Sequence, residues 1–130
     1  MTCRKGRYFP LPRGKEKKHL VIATIRMVLL PENRKKVLDI FRGLLGPIKV
    51  EPGCLGCRLY QDLENENLIV FEEVWESQND LDRHINSEKY RHILVALDMS
   101  SKPPEINFNN ITSTAGMEAI GAALGRNPFS

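Results

Sequence analysis

Three side chains in the middle of this 130-residue chain are of types that could do chemistry: Glu73, Trp75 and His84. Glu73 falls in the same alternating register as Ile69, Phe71 and Trp75, where an acid is costly unless it is paired. His84 lies on the apolar side of its segment with Leu81 and Ile85, and an imidazole, which titrates near neutrality, can take or give a proton. Trp75 is the sole tryptophan and can serve as a pocket wall or as a core anchor. Tyr60 can extend such a wall, and Arg58 and Tyr90 are further polar candidates. Structural alternatives stand beside each of these. Glu73 can pair across a subunit interface with Arg26 or Arg58, and His84 can be a hydrogen-bonded structural residue. His92 falls off the apolar stripe of its segment and is expected at the surface; His19 belongs to the junction with the N-terminal arm.

Cys54-x-x-Cys57 invites a redox or zinc reading, and neither is adopted. Redox pairs of this spacing work at a helix N-terminus, whereas these residues fall in an expected strand, which sends positions three apart to opposite faces. Zinc needs two more ligands, and no Cys/His pair stands at suitable spacing. The two cysteines are expected to be structural. The chain also lacks a Gly-rich phosphate loop, His-Glu-x-x-His and Gly-x-Ser-x-Gly.

The elements that must position these residues follow from periodicity. His19 to Leu30 is β-rich and apolar in both registers, and Pro31 ends it. Val37, Leu38, Phe41, Leu44 and Leu45 then recur at helical spacing, and Gly46-Pro47 is expected to break or kink that helix. After Glu51-Pro52-Gly53 come a strand from Cys54, an acidic hairpin over residues 62–67 and a second strand ending at Trp75. Ser77 with Asp80 is a variant capping box for the segment carrying Leu81, His84 and Ile85. Ser87 can cap a second segment whose stripe is Tyr90, Ile93, Leu94 and Leu97. A last strand follows Pro103-Pro104, with Ile106 and Phe108 alternating with Asn107 and Asn109. Residues 116–124 have room for a short helix with Met117, Ile120 and Leu124 on one side.

This order, β-α-β-β-α-β, predicts an α+β, ferredoxin-like split βαβ fold. One sheet face is covered by the chain's own helices. The other is apolar too, and a patch of that size is rare on a monomer; a homodimer with facing sheets is expected.

Composition bounds the rest. With 42% hydrophobic residues, the chain has one domain's worth of core. No apolar run approaches the about 20 residues of a membrane span. The first residues lack the apolar stretch of a secretory signal, and the odd count of three cysteines fits a reducing compartment, so cytoplasmic residence is expected. Residues 1–18 hold seven Lys/Arg against Glu16 alone, while the other 112 residues sum to −3. Without an amphipathic period or interleaved aromatics, this basic arm reads as a solvated, disordered tail, with no membrane or nucleic-acid partner expected. The domain is expected over 19–124, with a short tail over 125–130.

Glu51-Pro52-Gly53-Cys54-x-x-Cys57-Arg58-Leu59-Tyr60-Gln61-Asp62, then Glu73-x-Trp75-Glu76-Ser77, Leu81-x-x-His84-x-x-Ser87 and Pro103-Pro104-Glu105-Ile106-x-Phe108 together resemble the antibiotic biosynthesis monooxygenase domain, in its quinol monooxygenase branch. The resemblance covers roughly residues 19 to 121. It implies a dimeric α+β barrel. It also implies oxidation of a small aromatic or quinol-type substrate by dioxygen with no metal, flavin or haem, the deprotonated substrate supplying the electrons. On that reading His84 is the base, with Glu73 and Trp75 as its catalytic companions, and Arg58, Tyr60 and Tyr90 bind the substrate, Arg58 as partner of a phenolate. The chain departs from the family where many members carry a second histidine after the serine; Glu88-Lys89-Tyr90 stands there instead. The Asn, Trp and His arrangement of haem-degrading relatives does not map onto it. The alternative to an enzyme is a non-catalytic dimer that binds a small apolar ligand or a protein partner.

Overall fold

A computed structural model describes residues 19–127. The expectations for the basic arm lie outside the described residues, as does the end of the C-terminal tail. The elements run β1 (Leu20–Val28), α1 (Pro31–Lys49), β2 (Cys54–Gln61), β3 (Leu68–Trp75), α2 (Gln78–Ile85), α3 (Glu88–Leu97), β4 (Glu105–Ile111) and α4 (Met117–Leu124). The strands form one antiparallel sheet in the order β2-β3-β1-β4, so the ferredoxin-like α+β fold is the one the periodicity predicts.

Strict alternation builds the two faces. Val21, Ala23, Ile25 and Met27 of β1 and Ile69, Phe71, Glu73 and Trp75 of β3 are buried, while the residues between them are half-buried or exposed. α1 packs on β2 and α3, and α2 packs on β1 and β3. Phe41 of α1 meets Phe71 at 4.6 Å between ring centroids, at the centre of a core completed by Val37, Leu44, Ile48, Leu81, Ile93 and Ala96. The reverse face carries Leu20, Ile22 and Val28 beside Leu68, Val70 and Val74, all half-buried within one protomer. Ile106 and Phe108 on β4 and Met117, Ile120 and Leu124 on α4 are exposed.

The structure corrects three local expectations. α1 does not end at Gly46-Pro47 but continues to Lys49; the fully buried Ile48 anchors that last turn and outweighs the missing proline N–H. In α3 the buried stripe is Tyr90, Ile93 and Ala96, with Leu94 exposed. β2 contains a bulge: Cys54 pairs with Trp75 and Gly56 with Val74, leaving Leu55 as an extra residue. The bulge restores Cys54 to the face of Cys57, so the two buried cysteines share the helix side rather than standing on opposite faces.

Candidate active site

Three separate elements deliver the site, each for a local reason. The turn between α1 and β2 carries Glu51. It is pinned because Gly53 sits at φ 81°, a conformation glycine tolerates, and a side chain there would collide with Asp80. The Gly53 carbonyl accepts the Glu76 N–H at 2.8 Å, and the Arg83 guanidinium donates to the Pro52 carbonyl at 2.7 Å. The end of β3 presents Glu73 and Trp75 on its buried face. α2 starts at Ser77, whose hydroxyl accepts the Asp80 N–H at 3.2 Å and donates to the Asp80 carboxylate at 2.8 Å, and it brings His84 over the sheet. Ser87 stands at the N-cap position of α3, but its hydroxyl donates to the His84 carbonyl at 2.6 Å instead of capping, and so joins α2 to α3.

These pieces converge on His84, which is fully buried. Its Nε2 lies 2.7 Å from Glu73 Oε2, and its Nδ1 lies 3.1 and 3.0 Å from the two oxygens of Glu51. Trp75 Nε1 donates to the other Glu73 oxygen at 3.3 Å, and its ring lies 4.6 Å from the imidazole at an interplanar angle of 30°. Tyr90 meets the imidazole edge-on at 5.3 Å. Two carboxylates facing two ring nitrogens require a proton on each nitrogen, or a proton on one acid. Burial works to depress the His84 pKa, but the hydrogen bond and charge of Glu73, followed by the charge and hydrogen bond of Glu51, outweigh it and raise the pKa above the ordinary value. The raised pKa favours the imidazolium form of His84, whose two N–H groups face Glu73 and Glu51. Burial, then the charge of Glu73, raises the pKa of Tyr90.

Both ring nitrogens of His84 are engaged by acids, so its imidazolium form offers no free lone pair, while each Glu73 oxygen, with one hydrogen bond, keeps a second lone pair. Trp75 and His84 are shut off from solvent entirely, so no water-sized space borders either. Tyr90 is buried, 7% exposed, and closes the cluster on the α3 side.

Of the six residues singled out in the sequence, the structure brings Glu73, Trp75, His84 and Tyr90 together. Arg58 and Tyr60 stand apart. They pair with Glu72 and Val70 on the reverse face of the sheet, where the Tyr60 hydroxyl donates to Glu72 at 3.3 Å. Within one protomer they cannot line the same pocket as His84, nor can Glu73 meet Arg26 or Arg58 from the buried face. Glu51 was not singled out. Its acid next to Pro-Gly reads as turn chemistry, and only the fold shows the 33-residue separation to His84 closing. Among the described residues no group of His, Cys, Asp and Glu has the geometry to hold a metal ion. No helix among them is long and apolar enough to cross a membrane.

Comparison with known proteins gives concordant results. The solved structures of a conserved protein from Methanosarcina mazei (25% identity, TM-score 0.66, 71% of this chain and 92% of that one) and of Rv0793 from Mycobacterium tuberculosis (20% identity, TM-score 0.68, 75% and 99%) share the fold. So does a structure described as an antibiotic biosynthesis monooxygenase, at 22% identity and TM-score 0.65 over 72% of this chain and 99% of that one. A curated relative, the uncharacterized protein sll1783 of Synechocystis, is 27% identical over 85 residues; the match spans 65% of this chain and 58% of that relative's length. The model of the antibiotic biosynthesis monooxygenase family matches residues 20–95, from β1 through most of α3 and thus across Glu51, Glu73, Trp75, His84 and Tyr90. The chain belongs to the antibiotic biosynthesis monooxygenase family.

Proposed function

We propose that this chain is a cofactor-independent monooxygenase of small aromatic or quinol-type substrates, working as a cytoplasmic homodimer. The observation that carries the reading is a buried acid, Glu73, held between the Trp75 indole N–H and the His84 imidazole, with the Tyr90 ring edge-on to that imidazole. Such a group takes the proton of a phenolic O–H and leaves a phenolate against the aromatic wall of Trp75 and Tyr90. The phenolate supplies the electrons: a hydroquinone and dioxygen yield a hydroxyquinone and water, with no external reductant. Entry requires movement at Tyr90, because the carboxylate of Glu73 is only 3% exposed. Arg58 and Tyr60, on the reverse face, belong to the sheet-to-sheet interface.

Oxygen uptake with a panel of hydroquinones tests the reading. The parent should consume oxygen, and Glu73→Gln and Trp75→Ala should lose most of that rate, with loss of a positioned proton acceptor costing about 100-fold or more. Equal rates in parent and variants would remove the site. A second reading, a non-catalytic dimer that binds a small apolar ligand or protein partner, is favoured by the absence of water-sized space at Trp75 and His84. It predicts quenching of Trp75 fluorescence by apolar ring compounds with no oxygen consumed.

A further inference from the structure

On the reading of Glu73 as proton acceptor, the geometry assigns Glu51 the role of a positioning residue that acts through His84: its carboxylate supplies the surplus negative charge that lets the buried cluster hold a substrate proton. A Glu73 carboxylate facing an imidazolium makes a neutral pair. A proton taken up by that pair alone raises the cluster's charge to +1, and the imidazolium beside Glu73 lowers that carboxylate's affinity for it. Glu51 alters the balance. With its two oxygens 3.0 and 3.1 Å from Nδ1, the three groups sum to −1 before the proton arrives and to zero afterwards. In the step itself the substrate O–H breaks, the proton binds the Glu73 carboxylate, and the electron pair stays on the substrate oxygen, so the negative charge passes from cluster to substrate.

Among the described residues, the side chains other than Glu51 and Glu73 that the ring faces are uncharged. From β3 the ring faces Glu73 and Trp75, from α3 it faces Tyr90, and β2 brings Cys54 and Cys57 opposite Trp75 and Glu73. On its own helix, Arg83 is committed to Asp80 at 2.7 Å and to the Pro52 carbonyl at 2.7 Å. Glu51 is also the member nearest solvent, with its side chain 11% exposed against 3% for Glu73 and none for His84.

Glu51→Gln in the full chain separates charge from position, because the amide oxygen can still accept the Nδ1–H while the charge is gone. Glu51→Asp keeps the charge. The His84 ring nitrogens are followed by NMR through a pH titration, beside a pH–rate profile for hydroquinone oxidation. Glu51→Gln should move the His84 midpoint down toward the ordinary histidine value, and kcat should fall about tenfold with KM changed less than about twofold. Glu51→Asp should keep the parent's midpoint and recover most of the rate. An unmoved midpoint in Glu51→Gln, or one that falls equally in both variants, overturns the role of the charge. Should the parent consume no oxygen with any quinol, the oxygenase reading falls, and the NMR titration still decides what Glu51 does to His84.

Discussion

At the scale of single residues, the imidazolium between two acids makes stability depend on pH in a definite direction. His84 has a folded-state pKa raised above 6.5. Its contribution is therefore fully present below pH 6.5 and is lost as pH rises through the raised value. Thermal unfolding should show a midpoint that falls over that window, and a His84→Leu variant should lack this decline. The same variant strands Glu73, a buried carboxylate, without its cation. It should cost about 3–5 kcal/mol, whereas His84→Leu with Glu73→Leu should cost less than His84→Leu alone, because apolar replacement of a whole pair leaves no orphaned charge. Chemical denaturation of both variants checks the order. The sequence announced part of this cluster. Glu73 stood out because an acid in the register of Ile69 and Phe71 needs a partner, and His84 because it sat on an apolar stripe. Their companion Glu51 stayed hidden, since nothing in a Glu-Pro-Gly turn distinguishes an acid aimed inward from one in water.

At the scale of elements, the turn from Glu51 to Cys54 carries the strictest local demand. Gly53→Ala forces a side chain into a positive-φ position and against Asp80; it should cost about 1–3 kcal/mol and loosen Glu51 from His84. A lowered melting temperature together with a shifted His84 titration would show both effects. Pro47 makes the opposite case. It is exposed, lies inside α1 and withholds a backbone donor, so Pro47→Ala should stabilise the chain by about 1 kcal/mol or more. Element order, strand ends and the Ser77 cap were legible because alternation and capping are local signals. The length of α1 was not, because Ile48 holds the last turn through contacts that no window around Gly46-Pro47 contains. The parity of Cys54 and Cys57 was not legible either, because strand pairing, not sequence spacing, decides where a bulge falls.

At the scale of the whole molecule, the reverse face of the sheet sets the expected assembly. Leu20, Ile22, Val28, Leu68, Val70 and Val74 lie on it, interleaved with Arg26 and Glu72 on the two central strands and flanked by Arg58 on β2 and Glu105 on β4. A face that mixes apolar residues with both signs of charge is self-complementary across a two-fold axis. Sedimentation should find a dimer, and Val70→Asp should release monomers without melting the helix-side core; a parent that stays monomeric at micromolar concentration excludes the facing-sheet assembly. Sequence alone pointed to this face through apolar residues in both registers of two strands, but it could not show that Arg26 and Glu72 stand on neighbouring rungs among them.

The single extra residue at Leu55 has a consequence for how this chain can change over time. Upstream of it lie Cys54 and the Glu51 turn; downstream, Cys57 and Leu59 keep step with β3. Deleting Leu55 would close the bulge into regular pairing and leave Cys54 opposite Trp75, on the same side of the sheet as Cys57. The turn would then keep its place relative to the imidazole it serves. Both point substitution and loss of this one residue should be tolerated, making it a place where the lineage is free to alter the letter or to drop it.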